Sequence, residues 1–313
     1  MNFSAFRTGG FPAGLAAFCT WGSLVIYWKQ LEAIPPAEIL LYRIVWSFAL
    51  LLPVIWLTGR FAETRHALRT PHLRRWLLGS ACFVTCNWGL YIWAINNGHI
   101  TESSLGYYIN PLTNVLAGAL FCQERPSRLQ WLAVGIAAAG VGYSLLAYGE
   151  LPWVALGLAG SFTVYGLLRK KVAVGALTGL FVETLLLFPP ALWLLIWLHI
   201  HGQGHFFRAT SWELSLIVAS GLVTSLPLVL FTYAARHLPL STLGLLQYVS
   251  PTLALCIGVQ IYHEPVSSAT MITFGCIWTA LTLYSWSSWT LHRQADRLRR
   301  MAAEDKPPLE KTP

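Results

Sequence analysis

The sequence predicts an all-α integral membrane protein whose ten transmembrane helices form two inverted repeats of five. Three observations lead there. Of the 313 residues, 55% are hydrophobic and 11% charged, where an ordinary soluble domain carries about 25% charged residues, so the polar shell of a soluble chain is missing. Apolar stretches recur from Phe11 to Leu291, each near the roughly 20 residues that cross about 30 Å of hydrocarbon. The alternating strands of about ten residues that mark a membrane barrel are absent. Finally, the second half of the chain repeats the first at an offset of 140 positions.

The spans begin near Pro12, Ala37, Arg75, Glu102, Arg128, Leu151, Ala176, Trp212, Leu240 and Ser267. With the N-terminus in the cytoplasm, 18 of the 21 Lys and Arg fall on the cytoplasmic side. They are Arg7; Arg60, Arg65, Arg69, Arg74 and Arg75; Arg125 and Arg128; Arg169, Lys170 and Lys171; Arg236; and six after Leu291. Lys29 and Arg208 fall outside, and Arg43 lies within a span. The excess of inward cations places both termini in the cytoplasm. It also accounts for the net charge of +8 as topology, with no nucleic-acid partner.

The first span follows Arg7 as a secretory signal would, but no small-x-small cleavage site precedes Trp21, so it is expected to stay as a span. All six cysteines, Cys19, Cys82, Cys86, Cys122, Cys256 and Cys276, fall in spans without a C-x-x-C pair, which predicts neither disulfides nor a metal site. Cys82 and Cys86 read as small buried thiols.

The repeat is carried by particular residues. NWGLYIWA at 87–94 aligns with PLVLFTYA at 227–234, and YINPLTNVLAGALFCQE at 108–124 with YVSPTLALCIGVQIYHE at 248–264. Tyr108/Tyr248, Pro111/Pro251, Gly118/Gly258 and Glu124/Glu264 coincide. Five spans is an odd number, so the second half enters the membrane from the opposite side. Inverted repeats of this kind mark transporters, with the substrate site near the midplane between the halves. The units are expected at 1–147 and 148–290, followed by a disordered cytoplasmic tail at 291–313.

Helix-interior prolines free the carbonyl four residues back. Pro111, Pro227 and Pro251 are therefore expected to break their helices near a binding site, the first and last freeing Tyr107 and Gln247. Asn87 and Tyr91 share a helix face, as do Asn110 and Asn114, and polar side chains in hydrocarbon should point into the bundle. With Trp88, Tyr107, Tyr108 and Tyr248 nearby, an aromatic cavity with a few amides is expected. Glu38 and Glu102 read as first-turn carboxylates favoured by the helix dipole. His199, His201 and His205 lack the carboxylate or thiol companions of a metal site. No phosphate-binding loop occurs. Small residues in LAVGIAAAGVGYSLLA suit tight helix contact, within the subunit or in a homodimer.

Arg43 is a permanent charge in LLYRIVWSFALLLP, and 140 positions on stands Glu183. The pair is expected to face a common midplane cavity, bound to each other or to the two charges of a zwitterionic substrate.

The runs AEILLYRIVWSF, NWGLYIWAINNGHITESSLGYYINPL and QERPSRLQWLAV resemble the RarD group of EamA-type permeases, in the drug/metabolite transporter superfamily. The resemblance runs from Phe18 to Trp278. It implies ten helices in two EamA repeats, a bacterial inner membrane, and export or exchange of small metabolites or drugs; chloramphenicol sensitivity is the phenotype in the group's name. The positions it implies for function are Arg43, Asn87, Trp88, Tyr107, Asn110, Glu183 and Gln247. The expected function is a secondary transporter, not an enzyme, moving a small amphipathic or zwitterionic compound by alternating access without a cofactor. A passive channel or lipid scramblase, or a lipid-modifying membrane enzyme, are the alternatives.

Overall fold

The computed structural model describes residues 9–97, 99–149, 151–263 and 267–304, leaving out the side chains of 92, 95, 96, 100–103, 289 and 291–304. Among the described residues there are helices and no strand. They are α1 (Gly10–Lys29), α2 (Pro36–Leu57), a short basic α3 (Phe61–Arg69), α4 (Pro71–Asn96), α5 (Ile100–Phe121), α6 (Arg128–Tyr148) and α7 (Trp153–Lys171). After these come α8 (Ala176–Ile200), α9 (Ser211–His237), α10 (Leu240–Leu246), α11 (Val249–Gln260) and α12 (Ser268–Glu304). The side chain of Glu102 and the whole of Glu264 lie outside the described residues.

Local chemistry sets the helix starts. Pro36 and Pro71 open α2 and α4, where a proline lacks only a hydrogen-bond donor that would be orphaned anyway. Ser127 with Gln130 and Thr210 with Glu213 form reciprocal capping boxes at α6 and α9. Gly149 ends α6 in the left-handed conformation, φ 83°.

Among the described residues, six segments are both long and apolar enough to cross a membrane: α1, α2, α6, α8, α9 and the combined stretch Leu240–Gln260. Large apolar side chains on the outside of the bundle, such as Leu120, Leu132 and Ile200, are exposed, as expected where the solvent is lipid. Cys82 and Cys86, expected to be buried, sit on that outer surface.

The 140-residue period reappears in three dimensions. Pro36 and Ala176, Pro71 and Ser211, Ile100 and Leu240, and Arg128 and Ser268 all start helices and are each 140 residues apart. The packing pairs the same counterparts, with α2 on α8, α5 on α10 and α6 on α12. It also exchanges them, because α4 packs on α7 and α8 as α9 packs on α1 and α2. Phe48 of α2 stacks on Phe188 of α8, 140 residues on, with ring centroids 4.3 Å apart. Tyr42, near the start of α2, meets His199, near the end of α8, at 3.4 Å, so the two helices run antiparallel.

Proline acts differently in the two halves. α5 continues through Pro111 and α9 through Pro227, which corrects the expectation of breaks there. A proline removes one intrahelical bond, and packed neighbours keep the rest of the helix in line. The ninth expected span does break: α10 stops at Leu246 and α11 starts at Val249, two residues before Pro251. The last helix continues to Glu304, through residues 291–304 assigned above to a disordered tail.

Candidate functional site

Two ionisable centres lie inside the bundle, one around Arg43 and one around Glu183. Each residue stands seven positions into its helix and five positions before Phe48 or Phe188. At 1.5 Å per residue each is about 7.5 Å from the stacked pair. Because α2 and α8 are antiparallel, the two lie on opposite sides of it, on the order of 15 Å apart along the helix direction. The expected Arg43–Glu183 contact is therefore not made. Antiparallel packing puts residues at equal distances before the stacked phenylalanines at opposite depths.

The Arg43 guanidinium is held between two indoles, 5.0 Å from the Trp28 ring centroid and 5.2 Å from that of Trp88. Its Nε donates to Thr224 Oγ1 of α9 at 2.9 Å. Tyr107, Tyr91 and Tyr27 are close enough to act electrostatically on it, and the Tyr91 and Tyr107 rings meet edge to face at 6.4 Å. Among the described residues, no carboxylate pairs with Arg43. Arg43, Trp28, Trp88 and Tyr91 are partly buried, and Tyr107 is 48% exposed. Of the residues singled out from sequence, this centre gathers Arg43, Trp88, Tyr91 and Tyr107. It adds Trp28, Tyr27 and Thr224, which the sequence reading passed over.

The Glu183 centre is closed. Arg169 Nε lies 3.4 Å from Glu183 Oε1, with the two side chains 0% and 2% exposed. Ser80 Oγ donates to Oε1, and Tyr165 Oη donates to Oε2 at 3.4 Å. The Arg169 Nη2 caps the carbonyl of Ala176 at 3.2 Å. Room for its guanidinium exists only because residue 179 is glycine, since a Cβ there would run into it. Arg169 hid in the cationic run Arg169–Lys170–Lys171; the signal that could have singled it out is that it follows Tyr165 by one helical turn, on the packed face of α7.

Between the centres lies an aromatic layer. Phe18, Tyr165 and Phe231 are buried together, with Trp21, Phe162 and Trp88 packed against them. Phe231 faces Phe162 at 5.3 Å and stacks on Tyr165 at 6.2 Å. Trp88 thus touches Arg43 on one side of this layer, and Tyr165 touches Glu183 on the other.

The remaining sequence-selected residues spend their polar groups on the protein. Asn87 Nδ2 donates to the Leu158 carbonyl at 2.8 Å and to Ser161 Oγ at 2.9 Å. Asn110, Asn114 and Gln247 form a buried cluster in which Asn114 Nδ2 donates to Gln247 Oε1 at 2.9 Å and Thr163 Oγ1 to Asn110 Oδ1 at 3.0 Å. The cluster sits at the α10–α11 break. There Gly244 comes so close to α5 that a Cβ on it would lie 2.7 Å from the Pro111 carbonyl oxygen. Tyr248 Oη donates to the carbonyl of its counterpart Tyr108 at 3.0 Å.

The two ends of the α2–α8 pair are tied by carboxylates. At the start of α2, Glu38 is buried; its Oε1 accepts from Tyr42 Oη and from the His205 N–H, both at 2.7 Å, and His205 Nδ1 lies 2.6 Å from Oε2. It holds the connector after α8, a role beyond that of a first-turn carboxylate. His199 and His201 turn their Nδ1 atoms onto carbonyls of their own helix. At the start of α8, Glu63 of α3 accepts from the Gly175 N–H at 2.9 Å and from Thr178 Oγ1 at 2.6 Å. Burial raises the Glu63 pKa, but these bonds and the neighbouring Arg60 outweigh it and hold the carboxyl below its usual range. The same end is tied further by Glu124, which caps α10 through the Ser241 N–H at 2.9 Å and faces Lys170 at 3.6 Å.

Comparison with known proteins points one way. Residues 8–146 match the EamA-like transporter family. The chain is 46% identical to an "Uncharacterized transporter" of Vibrio cholerae serotype O1, over 88% of this chain and 91% of that protein. It is 44% identical to "Protein RarD" of Salmonella typhi, over 88% and 94% respectively. A solved structure described only as "Crystal structure of protein" superposes with a TM-score of 0.69 over 90% of this chain and 98% of that one, at 20% identity, which speaks to the fold.

Proposed function

Because the chain belongs to the EamA-like transporter family, within the drug/metabolite transporter superfamily, we propose that it is a secondary transporter that carries a small amphipathic compound by alternating access. Ten spans in two inverted five-helix units would do this, α10 and α11 together making the ninth. The period of 140 in the helix starts supports that arrangement, as does the stacking of Phe48 on its own counterpart. So does the family match, which covers a single unit. α4, α5 and α7 are long but less apolar because they carry the inward-facing Asn87, Asn110, Asn114, Thr163 and Arg169. The surplus of Lys and Arg on one set of connections supports cytoplasmic termini in a bacterial inner membrane.

The observation that carries the reading is the unequal state of two matching centres. Arg43, toward the outer side, is partly buried beside its tryptophans and has no carboxylate partner among the described residues, whereas Glu183, toward the cytoplasm, is buried and engaged by Arg169, Ser80 and Tyr165. An alternating-access carrier in its outward-facing state has this asymmetry, and inversion of the repeats supplies the opposite state by exchanging the roles of the halves. Counterflow in proteoliposomes tests it. A carrier accelerates uptake when substrate is loaded on the far side; an unaffected rate would point to a channel.

A further inference from the structure

The Arg43 centre also constrains what is carried, and the following rests on the transporter reading above. We propose that the cargo is an organic monoanion with a flat apolar or aromatic body, whose carboxylate is held by the free fork of Arg43. A guanidinium keeps its charge at any physiological pH, and such a charge inside a bundle normally pairs or faces a water-filled path. Here the only hydrogen bond it makes among the described residues is the one from Nε to Thr224. The nearest carboxylate along its own helix, Glu38, is engaged by Tyr42 and His205. Trp28 and Trp88 lie over the guanidinium, and among the described residues Nη1 and Nη2 make no hydrogen bond. The edge carrying them matches two carboxylate oxygens at once.

The surroundings select further. A single cation suits a monoanion; a dianion would leave a charge unmatched. The exposed Tyr107 and its neighbour Tyr91 offer aromatic walls beside the fork, suited to a flat body. A zwitterion, which the sequence allowed, loses its second partner, because Glu183 is taken by Arg169 on the other side of the aromatic layer. Among the described residues no other carboxylate faces Arg43, so an ammonium would meet the guanidinium charge with no carboxylate to offset it.

The test uses the full-length protein in nanodiscs and three matched probes: indole-3-acetate, its neutral isostere indole-3-acetamide, and tryptamine. The acid should bind at least about tenfold more tightly than the amide, a difference of about 1.4 kcal/mol, and tryptamine should not compete. Arg43→Gln should make acid and amide equal, and Arg43→Lys, which keeps the charge, should retain part of the preference for the acid. Two results would overturn the proposal. One is amide or amine binding as tight as the acid, or no acid binding at millimolar concentration; the other is an acid preference that survives in folded Arg43→Gln protein. Counterflow of a non-acidic solute would then keep the transporter reading while the anion proposal fell.

Discussion

Phe48 and Phe188 stack at 4.3 Å although 140 residues, one full repeat, separate them. Tyr248 makes a second contact at the same separation, its hydroxyl donating to the carbonyl of Tyr108. These contacts should be energetically coupled. Phe48→Ala and Phe188→Ala should each lower thermal stability, with a coupling of about 0.5 to 1.5 kcal/mol in a double-mutant cycle. Strict additivity would mean that the rings are neighbours without mutual stabilisation.

The buried Arg169–Glu183 pair should behave as one unit. Arg169→Met or Glu183→Leu leaves the partner uncompensated and should cost about 3 to 5 kcal/mol. The double variant Arg169→Met with Glu183→Leu should recover most of that loss in thermal melts. No recovery would show that Ser80 and Tyr165, rather than the ion pair, hold the centre together.

Much of this arrangement was legible beforehand. The helical membrane character, the period of 140 and the isolation of Arg43 in an apolar run all follow from residue order. Which residues surround Arg43 did not, because Trp28 and Tyr27 sit at the end of α1, where aromatics also serve as interfacial anchors. Arg169 was masked by its cationic neighbours, and the Arg43–Glu183 pairing failed because α2 and α8 run antiparallel. Prolines were ambiguous for a physical reason: Pro111 and Pro227 lose one bond each inside well-packed helices, whereas Pro251 follows Gln247, whose side chain is committed to Asn114.

That difference predicts a ranking. Pro251→Ala should reduce transport more than Pro111→Ala or Pro227→Ala at equal amounts of folded protein, because only Pro251 adjoins an actual break. Equal transport by all three variants would separate the break from function.

Docking of α3 should depend on pH. The Glu63 pKa is held below its unfolded value, so its contribution is complete above the unfolded carboxyl value of about 4.3 and is lost as pH falls through the lower, folded one. Hydrogen exchange in α3 should therefore accelerate in the wild type as pH drops below about 4.3, relative to the intrinsic rate. Glu63→Gln should show the faster exchange already at neutral pH, with a flatter acid response. Identical pH profiles would remove Glu63 from the docking contact.

Topology can be read by impermeant thiol reagents on a background without native cysteines. Ala62→Cys and Ser268→Cys are exposed positions, and they should label from the cytoplasmic and the outer side respectively. Labelling of both from one side would contradict inverted repeats. Thr64 suits this purpose less, since it is buried.

The central claim is that the Arg43 and Glu183 centres open alternately, and paired accessibility tests it most directly. Tyr107→Cys reports the open centre and Ser80→Cys the sealed one, in the same cysteine-free protein reconstituted in one orientation. Alternating access predicts that Tyr107→Cys reacts from the outside and Ser80→Cys from the inside, and that a bulky adduct at Tyr107→Cys suppresses reaction at Ser80→Cys in the same molecule. Independent labelling of the two positions, with both adducts accumulating on single molecules at the product of their separate rates, would contradict the account and describe an open pore.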